Sequence, residues 1–246
     1  MRELSLSIVV PAYNEEGRIG PSLERIASFL DGRDYVYEIV VVDDGSRDGT
    51  VGVVEEFAKR VACVKLLRND ENRGKGYTVR RGVLEAKGRL ILFTDADLAV
   101  PIEELPRLIS ACEEGADIAI GDRYLEESNI RTDQPLYRRI IGHMGGLYVR
   151  TVILRSPPDT QCGFKCLRKE AAHRLFGLMR VNGGMFDVEL IYLARKAGYK
   201  IKQIPVAWSH CQGSSINIVK CLLTDPFSLI AIRVNDLLGR YRFTGR

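Results

Sequence analysis

Asp95 and Asp97, separated by one residue, stand just beyond the apolar run Leu90 to Phe93, after Thr94. Two carboxylates at that spacing share a face if extended geometry persists, and their hard oxygens suit a divalent cation able to neutralise a diphosphate. The competing role is to cap a helix starting near Pro101. Asp43 and Asp44 precede Gly45 and Ser46. Such a group is ordinary turn chemistry, yet acids at a strand end also accept hydrogen bonds from a base N–H or a ribose hydroxyl. Two further groups have the same strand-end setting, Pro11-Ala12-Tyr13-Asn14-Glu15 and Asp122-Arg123. The piece Asn72-Arg73-Gly74-Lys75-Gly76-Tyr77 is neither G-x-G-x-x-G nor a Walker loop, so dinucleotide and ATP readings lose support. Its glycines either open a path for backbone N–H groups to a phosphate or simply begin a helix.

These residues need a scaffold that gathers them, and the periodicity supplies one. From residue 6 a β-branched run, a polar turn and a stretch of helical period recur, giving five strands and four helices by Arg123. Glu15 and Glu16 suit a helix first turn, and Asp48 or Ser46 suits the cap of the helix that follows the second strand. Continuous apolar strands separated by helices predict an α/β fold, a mostly parallel sheet covered on both faces. Ligands then bind beyond the carboxyl ends of the strands, where four acids converge. After Arg123 the rhythm breaks. An amphipathic helix is predicted over 134–156, with four arginines and no acid between Tyr137 and Arg155, then a strand–helix–helix–strand passage, then a mixed apolar and basic segment over the last 30 residues.

The chain has 246 residues and a net charge of +4, but the charge is divided unevenly. Residues 1–122 carry 16 basic and 23 acidic side chains, net −7, and residues 123–246 carry 20 and 9, net +11. The second half is built to meet anions. With 46% hydrophobic residues the chain can bury a sizeable core, which excludes disorder and a disulfide miniprotein. No apolar run reaches the roughly 18 to 20 residues needed to cross a bilayer, and Glu3 interrupts any signal-peptide layout. The six cysteines are scattered without zinc spacing and read as reduced packing residues. His143, His173 and His210 show no ligand spacing and read as structural or surface residues, with His210 near the expected rim. An acidic rim would repel phosphate backbones, so no nucleic-acid partner is expected.

Taken together, PAYNEE at 11–16, VVDDGSRDGT at 41–50, NRGKGYTVRRG at 72–82 and TDADL at 94–98 resemble the family 2 inverting glycosyltransferases. DTQCGFK at 159–165 and FDVEL at 186–190 are similar to the dolichyl-phosphate β-glucosyltransferase branch, a sister of dolichyl-phosphate mannose synthase. The resemblance implies a GT-A fold. It also implies that Pro11, Tyr13, Glu15 and Asp43 hold the nucleoside, that Asp44 and Lys75 lie near it or its phosphates, and that Asp95 and Asp97 hold Mg²⁺ or Mn²⁺. Arg123 and the pair Arg138 and Arg139 match arginines used around the diphosphate and the acceptor phosphate. Asp159, Gln161 and Asp187 fall on the acceptor side, and Asp97, Arg123 and Asp159 are the expected catalytic set. The family's W-x-x-x-x-G-S-K ending is broken here, since Trp208 leads to Gly213-Ser214-Ser215 without the lysine.

The implied layout is a donor and metal lobe over 1–122, an acceptor lobe of the same domain over 123–216 and an amphipathic basic segment over 217–246. The implied activity moves a hexose, glucose from UDP-glucose foremost, onto a dolichyl or polyprenyl phosphate. The enzyme would work as a peripheral protein on the anionic cytoplasmic face of a membrane. The alternatives are a GDP-mannose-dependent dolichyl-phosphate mannose synthase and a non-catalytic nucleotide-sugar-binding protein. A lipid monophosphate with a second pKa of about 6 is already ionised at neutral pH and needs no dedicated base. Asp159 or Asp187 as a base is a minor route.

Overall fold

The structure, a computed structural model, describes residues 4–130, 153, 159–209 and 218–243. The predicted alternation is present. It runs β1 (Leu6–Ala12), α1 (Glu16–Asp31), β2 (Tyr37–Asp43), α2 (Thr50–Arg60), β3 (Val64–Arg68), α3 (Lys75–Glu85) and β4 (Leu90–Thr94). A 3₁₀ turn (Ile102–Glu104), α4 (Leu105–Glu113), β5 (Ile118–Asp122) and β6 (Asn129–Ile130) follow. The chain continues with β7 (Phe164–Arg168), α5 (Lys169–Leu178), α6 (Phe186–Lys196), β8 (Ile201–Pro205), β9 (Ala207–Trp208) and α7 (Ile218–Leu237). The basic helix expected over 134–156, with Arg138 and Arg139, lies outside the described residues apart from Ile153, as does the Gly213-Ser214-Ser215 edge.

Strands β3-β2-β1-β4-β7-β5-β8 form one seven-stranded sheet, and β6 pairs with β9 in a small second one. Neighbours among β1, β2, β3 and β4 are parallel, as are β5 and β8, while β7 runs antiparallel between β4 and β5. The mostly parallel sheet is therefore as predicted, but β4 and β5 are not neighbours. Hydrophobic period identifies a strand without its direction. Here the chain leaves β5 at the carboxyl rim and re-enters from the same rim at Gly163, so β7 must run downwards.

Burial follows the two-residue period of the strands. Ile8 and Val10 of β1 and Ile39 and Val41 of β2 pack with Ile19, Leu23 and Ile26 of α1 on one face, where Leu105 and Leu108 of α4 join them. Val9, Val40, Val42, Ile91 and Phe93 point the other way, onto Val79 and Val83 of α3, Phe176 of α5 and Phe186 and Leu190 of α6. Leu229 and Ile232 of α7 and Tyr241 close that second layer. The order β3-β2-β1-β4 reverses direction at β1, so the crevice of an open α/β sheet falls at the carboxyl ends of β1, β2 and β4.

Candidate active site

The loops after β1 and β2 are knitted together before they meet anything else. Asn14, at φ 54°, donates its amide N–H to Ser46 Oγ at 2.9 Å and accepts from Arg47 N–H at Oδ1, also at 2.9 Å. Helices α1 and α2 cap one another. Asp48 accepts from the Glu16 and Thr50 amides, while Glu16 accepts from the Gly49 amide. Of the two capping candidates, Asp48 performs the role, and Ser46 serves the Asn14 loop instead. Together the loops border a polar cleft of about 670 Å³ lined by Tyr13, Asp43, Ser46, Arg68 and Asn69 among others.

Adjacent Asp43 and Asp44 differ in what they face. Asp43, 2% exposed, uses Oδ2 to accept from the Gly45 and Ser46 amides, while its buried Oδ1 meets no protein donor. A buried acceptor left open beside a cleft is costly unless a ligand supplies the donor. Asp44 has no such vacancy. Its Oδ1 accepts from Asn69 Nδ2 and the Arg73 amide and its Oδ2 from the Gly74 amide, at 2.8 to 2.9 Å. Asp44 therefore holds the glycine turn in place rather than presenting itself to the cleft.

That turn uses its glycines for packing. Gly74 sits at φ 97°, where only glycine is at ease, and a Cβ there would lie 2.5 Å from the Asn182 carbonyl oxygen. A Cβ on Gly76 would lie 2.5 Å from the Val181 oxygen and 2.6 Å from Phe186 Cβ. The Gly76 and Tyr77 amides both donate to the Asn182 carbonyl, at 2.8 and 3.2 Å. The turn begins α3, the second of its two readings, and the Gly74, Gly76 and Tyr77 amides are spent on Asp44 and Asn182 rather than left free for a phosphate. What the turn does present is the Lys75 side chain, whose Nζ lies 2.6 Å from Asp95 Oδ1. Burial works against its charge, but Asp95, Asp187 and Asp97 overcome that and hold its pKa up.

The two aspartates after β4 do not continue the strand. The Leu98 amide donates to the Asp95 carbonyl at 3.1 Å and Leu98 takes φ 48°, so Asp95 to Leu98 is a turn. Asp95 faces Lys75 and Gly163, and Asp97 accepts from the Ala99 amide at 3.1 Å. Neither caps the helical segment at Pro101, which has no side-chain cap. Burial first and then Asp95 push the Asp97 carboxyl up. Glu15 is likewise raised by burial, with Asp97 and Asp95 adding to it against an ion pair to Arg18 at 2.6 Å. Asp95 and Asp97 offer two sets of carboxylate oxygens, the kind of ligand that Mg²⁺ and Mn²⁺ take. No group of three or more His, Cys, Asp or Glu in metal-binding array exists among the described residues, so a cation would complete its shell from a ligand and water.

Arg123 and Asp159 come together, but with each other. The guanidinium donates from Nε to Asp159 Oδ2 at 2.6 Å and from Nη2 to Oδ1 at 2.8 Å, a bidentate pair with both side chains largely buried. Burial opposes the Arg123 charge, and the bonds and field of Asp159 hold its pKa above the usual range. Asp122 locks the arrangement by accepting from the Tyr124 and Asp159 amides. Gln161 is exposed on the same loop. Asp187, 2% exposed near the start of α6, pairs with Lys165, and burial raises its pKa against the pull of Lys165 and Lys75.

Four residues of this site were not singled out from the sequence, although Gly163 and Lys165 lie within the DTQCGFK segment. Lys165 is wholly buried, donating to Asp187 and to the Cys162 carbonyl at 2.5 Å, with its Nζ 5.2 Å from the Phe93 ring centroid. Gly163 leaves space for Asp95, because a Cβ there would lie 2.1 Å from Asp95 Oδ2. Arg18 partners Glu15, and Asn69 bridges Asp44 to Thr78. The i, i+3 spacing of Glu15 and Arg18 was a usable signal. The others depend on contacts between distant segments. His173 is structural as read, its Nε2 3.0 Å from the Ala86 carbonyl, and His143 and His210 lie outside the described residues. Cys63, Cys112, Cys162 and Cys166 are free thiols, as expected.

The architecture is that of the GT-A fold. Glucosyl-3-phosphoglycerate synthase from Mycobacterium tuberculosis, solved with UDP, superposes with a TM-score of 0.66 at 18% identity, covering 93% of this chain and 79% of that one. The mannosyltransferase PcManGT from Pyrobaculum calidifontis, solved with GDP-Man and Mn²⁺, gives 0.61 at 21% identity over 87% of this chain, which spans 59% of that protein's length. Residues 7–176 match the family model described as Glycosyl transferase family 2, and the chain belongs to that family. Among curated relatives, the dolichyl-phosphate beta-glucosyltransferase of Drosophila melanogaster is 36% identical over 252 residues, 97% of this chain and 77% of its own length. The enzymes of that name from Saccharomyces cerevisiae and Homo sapiens are 34% and 33% identical, covering 98% and 96% of this chain and 77% of each relative.

Proposed function

We propose that this protein transfers glucose from UDP-glucose, with inversion, onto the phosphate of a dolichyl or polyprenyl lipid at the cytoplasmic surface of a membrane. The observation that carries the reading is one juxtaposition. The open Asp43 acceptor borders a cleft formed by the loops after β1 and β2, Glu15 at the end of the first of these loops feels the charges of Asp97 and Asp95, and Lys75 pairs with Asp95. A nucleoside seated against Asp43 and Tyr13 has its diphosphate directed towards Asp95, Asp97 and Lys75. Pro11 is the penultimate residue of β1, which leads into the first of those loops. The names of the curated relatives support a dolichyl-phosphate acceptor and a glucosyl donor.

Asp95 and Asp97 are the residues that would hold a divalent cation, Mg²⁺ or Mn²⁺, with the Mn²⁺ of the Pyrobaculum mannosyltransferase structure in support. When bound, it supplies charge neutralisation for the departing diphosphate. Lys75 adds a fixed positive charge to the same phosphates. The attacking lipid phosphate arrives ionised, so the chain's task on the acceptor side is positioning and charge stabilisation. In this reading the Asp159 pair aims Arg123 at the diphosphate, and Arg138, Arg139 and Gln161 meet the acceptor phosphate. Asp187 positions Lys165 and Lys75 rather than acting as a base.

No described helix is long and apolar enough to cross a membrane. Helix α7 nonetheless leaves Phe227, Ile230, Val234 and Leu237 on its exposed side, with Leu238 just beyond, and this supports a peripheral seat on an anionic surface.

Purified protein incubated with labelled nucleotide sugars, Mg²⁺ or Mn²⁺ and a polyprenyl phosphate tests the activity. UDP-glucose should give a lipid-linked product, and preference for GDP-mannose would favour the mannose synthase instead. Asp97→Ala should lower turnover by at least about 100-fold and remove the thermal shift that Mn²⁺ gives the wild type. Undiminished turnover sinks the proposed role.

A further inference from the structure

We propose that Glu189 is a positioning residue for the donor side of the site, holding the 180–182 segment against the backbone that carries Lys75, with Tyr241 from the C-terminal segment as part of the device. The inference rests on the reading of Lys75 as a diphosphate contact. Glu189 is fully buried in α6 and is none of the residues assigned a ligand contact above. Its Oε1 accepts from the Arg180 amide at 2.9 Å and from the Tyr241 hydroxyl, and its Oε2 accepts from the Arg180 and Val181 amides at 3.0 and 2.9 Å. A buried carboxylate is retained at such a position only when its oxygens are filled, and here both are.

The segment it holds does one thing of consequence. The Asn182 carbonyl accepts from the Gly76 and Tyr77 amides and fills the space a Cβ on Gly74 would need. Lys75 lies between those glycines, so its backbone is clamped by Asn182 on one side and by Asp44, through the Arg73 and Gly74 amides, on the other. Relaxing either clamp lets the Lys75 ammonium drift from its 2.6 Å contact with Asp95. A displacement of about 1 Å is enough to cost a site much of its function. Tyr241 extends the network beyond the catalytic loops. It is 1% exposed, is met by Asn235 Nδ2 at 3.4 Å and follows the end of α7, which Asp236 ties to Tyr192 and Lys196 of α6. The C-terminal segment is thus structurally continuous with the donor side.

Glu189→Gln places an amide NH₂ against an N–H donor in either orientation, and Tyr241→Phe removes a single donor. The probes are UDP alone, by calorimetry, and the separate Michaelis constants for UDP-glucose and the polyprenyl phosphate. Glu189→Gln should weaken UDP binding and raise the donor KM by about 10-fold, with the acceptor KM within about two-fold of wild type. Tyr241→Phe should move the donor KM in the same direction by about three-fold. Glu38→Gln, in a buried network at the opposite end of the sheet, should lose stability with no change in donor KM. If Glu189→Gln loses stability but keeps wild-type UDP affinity, or shifts both KM values equally, the inference is overturned. Should that variant fail to fold, an unchanged donor KM in Tyr241→Phe overturns it. A wild type that binds no nucleoside diphosphate sinks the functional reading itself, an outcome distinct from wild-type binding that the variants leave intact.

Discussion

Neighbouring side chains of the same type do opposite work here, and the difference lies in how many of their oxygens the protein already fills. Asp44 is saturated by Asn69 and two amides, whereas Asp43 keeps one buried oxygen open. Asp43→Ala should therefore reduce nucleotide affinity by about 10-fold or more without displacing the glycine turn. Asp44→Ala should lower stability as well as activity, and parallel calorimetry and urea unfolding separate the two. Gly163 offers a finer test. Its missing Cβ is the space Asp95 occupies, so Gly163→Ala should leave the fold intact while weakening Mn²⁺ binding by about 10-fold, read by calorimetry. At the Arg123 and Asp159 pair, Asp159→Ala leaves a mostly buried guanidinium without its partner and should cost about 3 kcal/mol. The double replacement with Arg123→Ala should cost less than the two separate losses combined.

Strands and helices add their own constraint, carried by a buried carboxylate at the amino ends of the central strands. Glu38 of β2 accepts from Ser7 Oγ of β1 at 2.7 Å, from the Lys87 amide ahead of β4 at 2.7 Å and from Lys65 of β3 at 2.6 Å. One side chain thereby ties three strands and the segment leading into β4 together at the end remote from the site. Burial pushes its carboxyl up, but Lys65, Ser7 and Lys87 outweigh burial and hold it below its ordinary 4.5. A depressed folded-state pKa contributes stability that is present above the unfolded value and lost as pH falls through the folded one. Glu38→Gln should accordingly cost about 1–3 kcal/mol at neutral pH. The two proteins should converge in acid below the folded-state pKa of Glu38, as followed by urea unfolding across the pH range.

For the molecule as a whole, the division of charge between the halves acquires a spatial meaning. The acidic residues 1–122 build β1 to β5, whose carboxyl ends carry Glu15, Asp43, Asp95 and Asp97. The basic residues 123–246 return β7 and β8 to the same sheet and end in α7, whose outer side exposes Phe227 at 72% and Leu237 at 87%. Anionic vesicles should bind the protein in a flotation assay, and replacing Phe227 and Leu237 by Ser should lower the bound fraction several-fold, since about 25 cal/mol is at stake for each Å² of apolar surface buried. Binding unaffected by those changes and by removal of residues 217–246 would reject α7 as the contact.

Much of this was readable from the chain. The apolar runs from Leu6 to Phe93 determine where strands lie, because burial on two faces demands continuous β-branched residues, and the polar turns after them determine which residues reach the carboxyl rim. The motifs at 11–16, 41–50, 72–82 and 94–98 likewise identify the family before any contact is seen. Tertiary structure alone decided the direction of β7, which a hydrophobic period cannot encode. With it came the approach of Gly163 to Asp95, the pairing of Lys165 with Asp187 and the engagement of Arg123 by Asp159. It also decided which of two adjacent aspartates is spent on amides and which remains open, because the donors that fill Asp44 lie 25 to 30 residues away, on a turn brought to it only by the folded sheet.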